Sequence, residues 1–375
     1  MKNKPNKQKE PVWETILRYV IGIVWLIMFG SIPWSIGNLL NESPEQHYTV
    51  PGQLISFQRL WEIEAYGAVG SSGNALVTLG EHVYFYGQLD PKEGHDSLVK
   101  LHLTTGEAAN YITILQRTTT IAGSGHFIYA GRSSRGGSRQ GFEPPEPAEV
   151  VGYDVEIDER VWIQKIHGAR EINYLSPFGD TVAMVAANWD GGETYQSLRF
   201  NSGSVLYSNP VALPTIYMDN VWIMVEPPQM IRAVNGRTNT VVWDRHVAER
   251  LNKEGVYFAP LLDNGVIVGR TGRQNSGLVY ALNSENGHIL WASEERVLGN
   301  IVANRGVTFY VTEQAVLRAV NSRTGEIIAS LAFIPEIASD EAMDTHYAYN
   351  IAINGDIVLM YMGNSKQLFA FRFVR

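Results

Sequence analysis

Cysteine is absent from the 375-residue sequence, and that absence excludes several kinds of site. The chain has no disulfide framework, no thiolate metal site, no cysteine nucleophile and no cysteine for an N-terminal lipid. A positive charge balance is lacking too, since 30 Lys and Arg stand against 38 Asp and Glu, for a formal net charge of −8. A general nucleic-acid binder needs a basic footprint, so we expect no nucleic-acid partner.

Charged residues are few for a soluble chain, at 18%, while hydrophobic residues make up 45%. This composition excludes a disordered chain, and the length suffices for one large domain with an added anchor. Long apolar runs are scarce, with one exception at residues 19–40, where no charged residue occurs. Such a run is long enough to cross the hydrocarbon core of a bilayer as a helix.

The flanks of this apolar run predict its orientation. Residues 1–18 are basic, and Trp13 and Trp34 lie near the two ends of the run, where interfacial aromatics occur. The positive-inside rule then leaves residues 1–18 in the cytoplasm, and we expect a single-pass protein of the cell (plasma or inner) membrane. A cleaved signal peptide is the alternative, because Ser35-Ile36-Gly37 resembles a cleavage site, although the run exceeds a signal peptide's apolar region. Residues 41–52 then form a linker, and residues 53–375 an extracytoplasmic domain.

A strand–turn–strand unit recurs along this domain. The clearest copy is Tyr280 to Trp291, in which Tyr280 and Leu282 alternate with smaller residues and Gly287 supplies a turn. Anchors spaced by about 36 to 52 residues fit four-stranded propeller blades. The residues that carry the repeat, as structural rather than chemical positions, are Trp61, Trp162, Gly203, Trp243, Gly287, Trp291 and Gly325.

The unit resembles the pyrroloquinoline-quinone-like (PQQ-like, quinoprotein-type) propeller repeat, whose pattern is an aromatic-Ala-Leu-Asp start, a Thr-Gly turn and a Trp. The resemblance implies an all-β, seven-bladed β-propeller; eight blades stay open, because residues 330–345 have room for extra strands. A β-sandwich of unrelated hairpins is the other alternative. The strand near residues 55–64 has no blade of its own, and the last repeat lacks an outer strand, so we expect the two to pair and close the ring.

Insertions on one face of the repeats predict a partner-binding face. The loops between second and third strands are long, at residues 87–97, 131–149, 188–196, 269–277 and 363–366. Such gathered insertions are typical of a binding face, although a solvated insertion or a polyanion site is also open. The candidate residues for a protein partner are Arg132, Arg135, Arg139, Phe142, Trp189, Arg270 and Arg273.

Metal and cofactor signals are weak by comparison. Asn188, Asp190 and Glu193 offer oxygen ligands in a glycine-rich turn that suit calcium, but their spacing matches no known calcium loop. Quinone-dependent dehydrogenases, which the repeat resembles, use an adjacent cysteine pair and an Asp base, neither of which is found here. We therefore expect no cofactor, no catalysis and a membrane-anchored protein-binding or assembly module. The alternatives are a quinone-dependent oxidoreductase and a glycan- or small-molecule-binding sensor.

Overall fold

The computed structural model describes much of the chain from residue 56 onward. The described residues are 56–67, 74–90, 92, 96–112, 117–134, 146–178, 180–209, 213–218, 221–226, 230–235, 237–247, 251, 260–272, 276–332, 349–363 and 366–374. The chain divides into two compact units, residues 1–46 and 47–375. The predicted tail 1–18, helix 19–40 and linker 41–52 lie outside the described residues, so the anchor stays a prediction. Within the described ranges, no helix is long and apolar enough to cross a membrane.

Antiparallel sheets make up the described part of the second unit. Four sheets are formed by consecutive segments of the chain. The first sheet holds β2 (Tyr66–Gly67), β3 (Leu76–Leu79), β4 (His82–Gln88), β5 (Ser97–His102) and β6 (Ala108–Ile112). The second sheet holds β7 (Thr118–Ser124), β8 (Phe127–Arg132), β9 (Ala148–Asp154) and β10 (Glu159–Ile166). The third holds β11 (Ala169–Phe178), β12 (Thr181–Asn188), β13 (Glu193–Arg199) and β14 (Val205–Asn209), and the fourth β15 (Leu213–Met218), β16 (Val221–Glu226), β17 (Met230–Asn235) and β18 (Val241–His246).

Two further sheets depart from this simple order. A double sheet of seven strands contains β19 (Leu261–Asp263), β20 (Val266–Arg270), β21 (Ser276–Asn283), β22 (Ile289–Asn304), β23 (Val307–Thr312), β24 (Val316–Asn321) and β25 (Ile327–Ala332). The closing sheet contains β26 (Tyr349–Asn354), β27 (Ile357–Met362), β28 (Gln367–Val374) and, from the other end of the chain, β1 (Ser56–Glu64). The prediction of an all-β fold is thus confirmed.

Each sheet is a meander that runs from a buried inner strand to an exposed outer strand. Most second strands, such as β8 and β23, are buried along almost their whole length, because both of their faces pack against neighbouring sheets, whereas β16 is only partly buried. The outer strands, such as β10 and β18, bury only alternate or isolated residues. The hydrophobic clusters therefore lie between the sheets, where consecutive sheets face each other.

Contacts between neighbouring sheets follow one another around a closed circle. The inner strands β26, β3, β7, β11 and β15 contact one another in that order, and β22 contacts β26. A shared cluster with Ile223 of β16 and Ile267 of β20 joins the fourth sheet to the double sheet. In the closing sheet, β1 pairs antiparallel with β28 from Ser56 opposite Val374 to Glu64 opposite Gln367. This pairing covers the edge of β28 with a strand from the start of the domain.

The double sheet arises because β22 belongs to two four-stranded units. Its first half pairs with β21 as an outer strand, and its second half pairs with β23 as the inner strand of the next unit. Arg318 of β24 holds this crossover, since its guanidinium donates to both carboxylate oxygens of Glu295 at 3.1 and 2.7 Å. Bidentate pairs of this kind are the geometrically specific ones.

In four of the units, a tryptophan docks the outer strand onto a turn of the next unit. Each indole Nε1 donates to a backbone carbonyl at 2.8 to 3.1 Å, in the pairs Trp61–Leu103, Trp162–Phe200, Trp243–Ser284 and Trp291–Ser322. Each indole also covers a positive-φ glycine of that turn, namely Gly106, Gly203, Gly287 and Gly325, where an added Cβ would lie 2.4 to 2.8 Å from a ring atom. The glycine is therefore needed for close approach as well as for its backbone angle.

The two turns that receive no tryptophan carry a different residue. β6 and β14 have no Trp, and the turns that follow them around the circle use Asp158 and Asn239, with φ of 58° and 56°. Asp and Asn tolerate this left-handed conformation but have a side chain. Glycine thus occurs where an indole must lie on the turn, and Asp or Asn suffices elsewhere.

Candidate partner-binding face

The connections between strands differ greatly in length on the two faces of the domain. The turns from first to second strands are short, for example residues 125–126, 264–265, 305–306 and 355–356. These turns and those from third to fourth strands lie on one face, which we call the turn face. The strand ends that are joined by second-to-third-strand and sheet-to-sheet connections lie on the other face, and the longest of these connections in the sequence are residues 89–96, 133–147, 247–260 and 333–348. We call this second face the long-loop face.

Arg132 lies at the base of the longest of the second-to-third-strand loops. It ends β8 directly opposite Glu149 of β9, and its Nη1 lies 2.8 Å from Glu149 Oε2. The two side chains are only 14% and 19% exposed, and burial lowers the pKa of Arg132 below its ordinary value. The pair therefore joins the two ends of the loop 133–147, and most of the guanidinium is turned away from solvent.

Arg270 lies inside the protein, in contrast to the prediction that it belongs to the partner-binding face. The residue is 5% exposed, and its Nη1 donates to the carbonyl oxygen of Gly299 at 2.6 Å. Burial lowers the pKa of Arg270 to about 10. The physical reason is its place as the last residue of β20, a second strand that is buried on both faces. Its side chain joins β20 to β22 instead of reaching a partner.

Four of the candidate residues cannot be placed in the same way. Arg135, Arg139, Phe142 and Arg273 lie outside the described residues, and their role in binding stays a prediction. The start of their loop is placed, however, because Ser133 N donates to Arg117 O at 3.0 Å and Ser134 N to Arg170 O at 2.8 Å. The loop thus leaves from the junction of the second and third sheets.

Trp189 is a large apolar residue that is exposed on the long-loop face, near the junction of the second and third sheets. The residue is 48% exposed, whereas its backbone is held by hydrogen bonds. The Trp189 N–H donates to Gly168 O at 3.1 Å, and the neighbouring Asn188 N–H donates to Gly192 O at 2.8 Å. An exposed indole on a hydrogen-bonded turn loses little conformational freedom on binding, which favours its use as an anchor.

The three candidate calcium ligands belong to this same turn. Asp190 Oδ1 accepts a hydrogen bond from Gly192 N at 2.9 Å, and Asn188 Oδ1 accepts one from Thr194 Oγ1 at 3.1 Å. Glu193 Oε2 accepts one from the Tyr195 hydroxyl at 2.5 Å. These oxygens stabilise the turn and the start of β13. Among the residues that the structure describes, no group of three His, Cys, Asp or Glu lies close enough together to hold a metal ion.

The residues of this chain do not match those that hold a quinone cofactor in the enzymes that the repeat resembles. The enzymes that the repeat resembles use a cysteine pair, and the sequence has no cysteine. Three of the described carboxylates of the long-loop face, Glu149, Glu226 and Glu313, are paired with arginines at 2.8 to 3.1 Å. We therefore derive no chemistry through a quinone.

Arginine–glutamate pairs are a feature of this face that the sequence did not reveal. Arg232 lies 2.8 Å from Glu226, and Arg296 lies 3.1 Å from Glu313, in addition to the pair at Arg132. Each pair closes the second-to-third-strand loop of its sheet or lies beside it. The partners are separated by 6 to 17 positions, so only a correct strand register would have shown them as neighbours.

Comparisons with known proteins bear on the fold. Residues 228–360 match the family model PQQ_2, described as outer membrane protein assembly factor BamB. No curated protein matches the sequence. BamB from Moraxella catarrhalis is similar in structure, with a TM-score of 0.50 and 12% identity over 84% of this chain and 100% of that one.

Two further solved structures are similar to comparable extents. A chain of the mitotic checkpoint complex has a TM-score of 0.58 and 11% identity, over 85% of this chain and 95% of that one. The computationally designed Ika8 protein has a TM-score of 0.54 and 11% identity, over 84% of this chain and 100% of that one. Likeness at such identities shows the fold alone. Together with the repeated docking of tryptophans, this likeness supports a β-propeller fold, and residues 228–360 carry repeats similar to those of the PQQ-like, BamB-like family.

Proposed function

We propose that this protein is a membrane-anchored, extracytoplasmic, seven-bladed β-propeller that acts as a protein-binding scaffold or assembly module. The observation that carries the proposal is the gathering of long connections on one face, beside an exposed Trp189 on a rigid turn. Repeat proteins place their binding sites where such insertions gather. The description of the matched family, an outer membrane protein assembly factor, points in the same direction.

We infer seven blades by dividing the double sheet at β22. The first, second, third, fourth and closing sheets supply one four-stranded unit each, and the double sheet supplies two that share β22. The short β2 extends the inner edge of the first sheet beside β4 and adds no unit of its own.

The binding site that we propose lies where the second and third sheets meet on the long-loop face. Trp189 is the apolar anchor of this proposed site, and Arg135, Arg139 and Phe142 are its further candidates on the basis of the sequence. Interfaces commonly depend on a few aromatic and arginine residues that are surrounded by weaker contacts. The Arg132–Glu149 pair holds the base of this loop.

The anchor at residues 19–40 is the second part of the proposal. The uncharged run and its basic N-terminal flank place residues 1–18 in the cytoplasm and the propeller outside it. An alkaline phosphatase fusion after Arg375 should be active, and one after Glu10 inactive. The reverse pattern would overturn this orientation.

The binding face is tested by crosslinking and pull-down of the full chain from its host. We compare the wild type with Trp189→Ala, with a replacement of residues 135–145 by a short Gly-Ser loop, and with Ile157→Ala. Ile157 is a matched control, because it is 58% exposed but lies on the turn face between β9 and β10. A defined protein should be captured by the wild type and by Ile157→Ala, and lost or reduced with the other two. Equal capture by all four proteins, or no specific capture by any, would overturn the proposal.

A further inference from the structure

Two histidines lie side by side on the turn face, far along the chain from the residues of the proposed binding site. His82 begins β4 and His102 ends β5, and the two are directly opposite in the strand register. Their ring centroids are 5.1 Å apart, with planes inclined by 39°. His82 is half-buried and His102 is exposed, so a small ion can reach both rings from solvent.

This spacing suits two imidazoles that share one metal ion. A ring nitrogen lies about 2.0–2.1 Å from a tetrahedral zinc ion, which puts two ligating rings about 5 Å apart, centre to centre. The backbone around both rings is fixed: Leu103 N donates to Glu81 O, and His102 N to Glu107 O, each at 2.9 Å. The geometry thus comes from the sheet and its turns, and little ordering remains to be done when an ion binds.

Two charged residues near the ring pair act in opposite directions on a cation. The Glu81 carboxylate brings negative charge near the rings, whereas the Lys100 ammonium opposes the approach of a cation.

We propose that His82 and His102 chelate one divalent transition-metal ion of the kind that imidazole binds, such as Zn²⁺, with water completing its coordination. No group of three metal-ligating side chains occurs among the described residues, so the site rests on two protein ligands. It lies on the turn face and is independent of the proposed partner site.

Titration calorimetry of the full chain with ZnCl₂ tests this site. The variants are His82→Asn, His102→Asn, both together, and His288→Asn. His288 is an exposed histidine just after the turn that precedes β22, also on the turn face, and it serves as the matched control. Loss of an outer-shell partner alone costs a metal site about 10–100-fold in affinity, so loss of either ligand should weaken binding at least about tenfold.

The double variant distinguishes shared ligation from two separate weak sites. If both rings bind one ion, the wild type binds one equivalent and the double variant is little weaker than either single variant, because each single change already destroys the chelate. His288→Asn should bind as the wild type does, and circular dichroism should show all variants folded. Unchanged zinc binding in His82→Asn or His102→Asn, an equal loss in His288→Asn, or no binding by the wild type would overturn the proposal.

Discussion

Replacing Gly287 with alanine tests whether tryptophan docking explains the glycine turns. Gly287 has a φ of +68°, and an added Cβ would lie 2.5 Å from Cε3 of the Trp243 indole. The indole is buried, and its Nε1 donates to Ser284 O at 3.1 Å. A new methyl group must therefore move the ring or the turn, and either movement weakens the junction between two sheets.

The expected cost has two parts that a control can separate. A left-handed backbone costs an L-residue about 1–2 kcal/mol, and forcing a methyl group into a packed site costs about 1–3 kcal/mol. Gly125 has a φ of +62° but nothing within 4 Å of an added Cβ, so Gly125→Ala bears only the first part. Lower entropy of the unfolded chain favours both variants alike. We expect Gly287→Ala to lose about 2–5 kcal/mol of unfolding free energy and Gly125→Ala about 1–2 kcal/mol.

Urea denaturation measures both losses, provided that the slope with denaturant stays the same. A double-mutant cycle with Trp243→Leu assigns the difference to the indole. In that background the clash is removed, and Gly287→Ala should cost no more than Gly125→Ala does in the wild type. The reasoning is refuted if Gly287→Ala is no worse than Gly125→Ala, or if its cost is unchanged when the indole is gone.

Three more predictions concern the junctions and the closure of the ring. Asn300→Ala removes two amide hydrogen bonds to the backbone of Ile351, both 2.7 Å long, and should lower the free energy of unfolding in urea by about 2 kcal/mol, at about 1 kcal/mol per bond. Burial raises the pKa of Tyr310 to about 12, so the stability that its neutral phenol contributes is complete below pH 10 and is lost as the pH rises through about 12. Urea midpoints between pH 9 and 12 should therefore fall less steeply in Tyr310→Phe, and an equal slope would contradict this. Removing residues 1–64 should expose the edge of β28 and cause self-association, which light scattering measures. A chain that lacks only residues 1–55 keeps β1 and should self-associate no more than the full chain does.

The turns can be predicted from the sequence because each of them depends on one residue that tolerates a positive φ. Gly203, Gly287 and Gly325 each lie four positions before the Trp of the same unit, or before the residue that replaces it, and all three have positive φ. The pairing of each glycine with the Trp of the preceding unit is not visible in this way, since the two lie about 40 residues apart. That contact becomes evident only when consecutive units are known to pack against each other.

The misplacement of Arg270 has an equally local cause. A charged residue beside a loop looks exposed in the sequence, but β20 lies between two sheets and buries every residue as far as Arg270. The shared strand β22 is hidden for a related reason. Its 16 residues contain no turn, so one continuous strand serves two units that the sequence pattern treats as separate.

A bulge in every outer strand of the described sheets also matters for how the domain meets copies of itself. The register shifts fall at the position just before the tryptophan or its equivalent, at Leu60, Ala109, Val161, Leu206, Val242, Leu290 and Ile328. A bulge interrupts the row of unpaired N–H and C=O groups that another strand would need as a template.

The pairing of β1 with β28 also determines how the domain bears mechanical load. β1 runs from the turn face at Ser56 to the long-loop face at Glu64, and it is paired with β28 on both sides of the bulge at Leu60. A pull on residue 56, against a molecule held on the long-loop face, acts along the axis of β1. The hydrogen bonds to β28 are then loaded together in shear and do not open one after another, so the strand that closes the ring is also well placed to resist tension between the two faces.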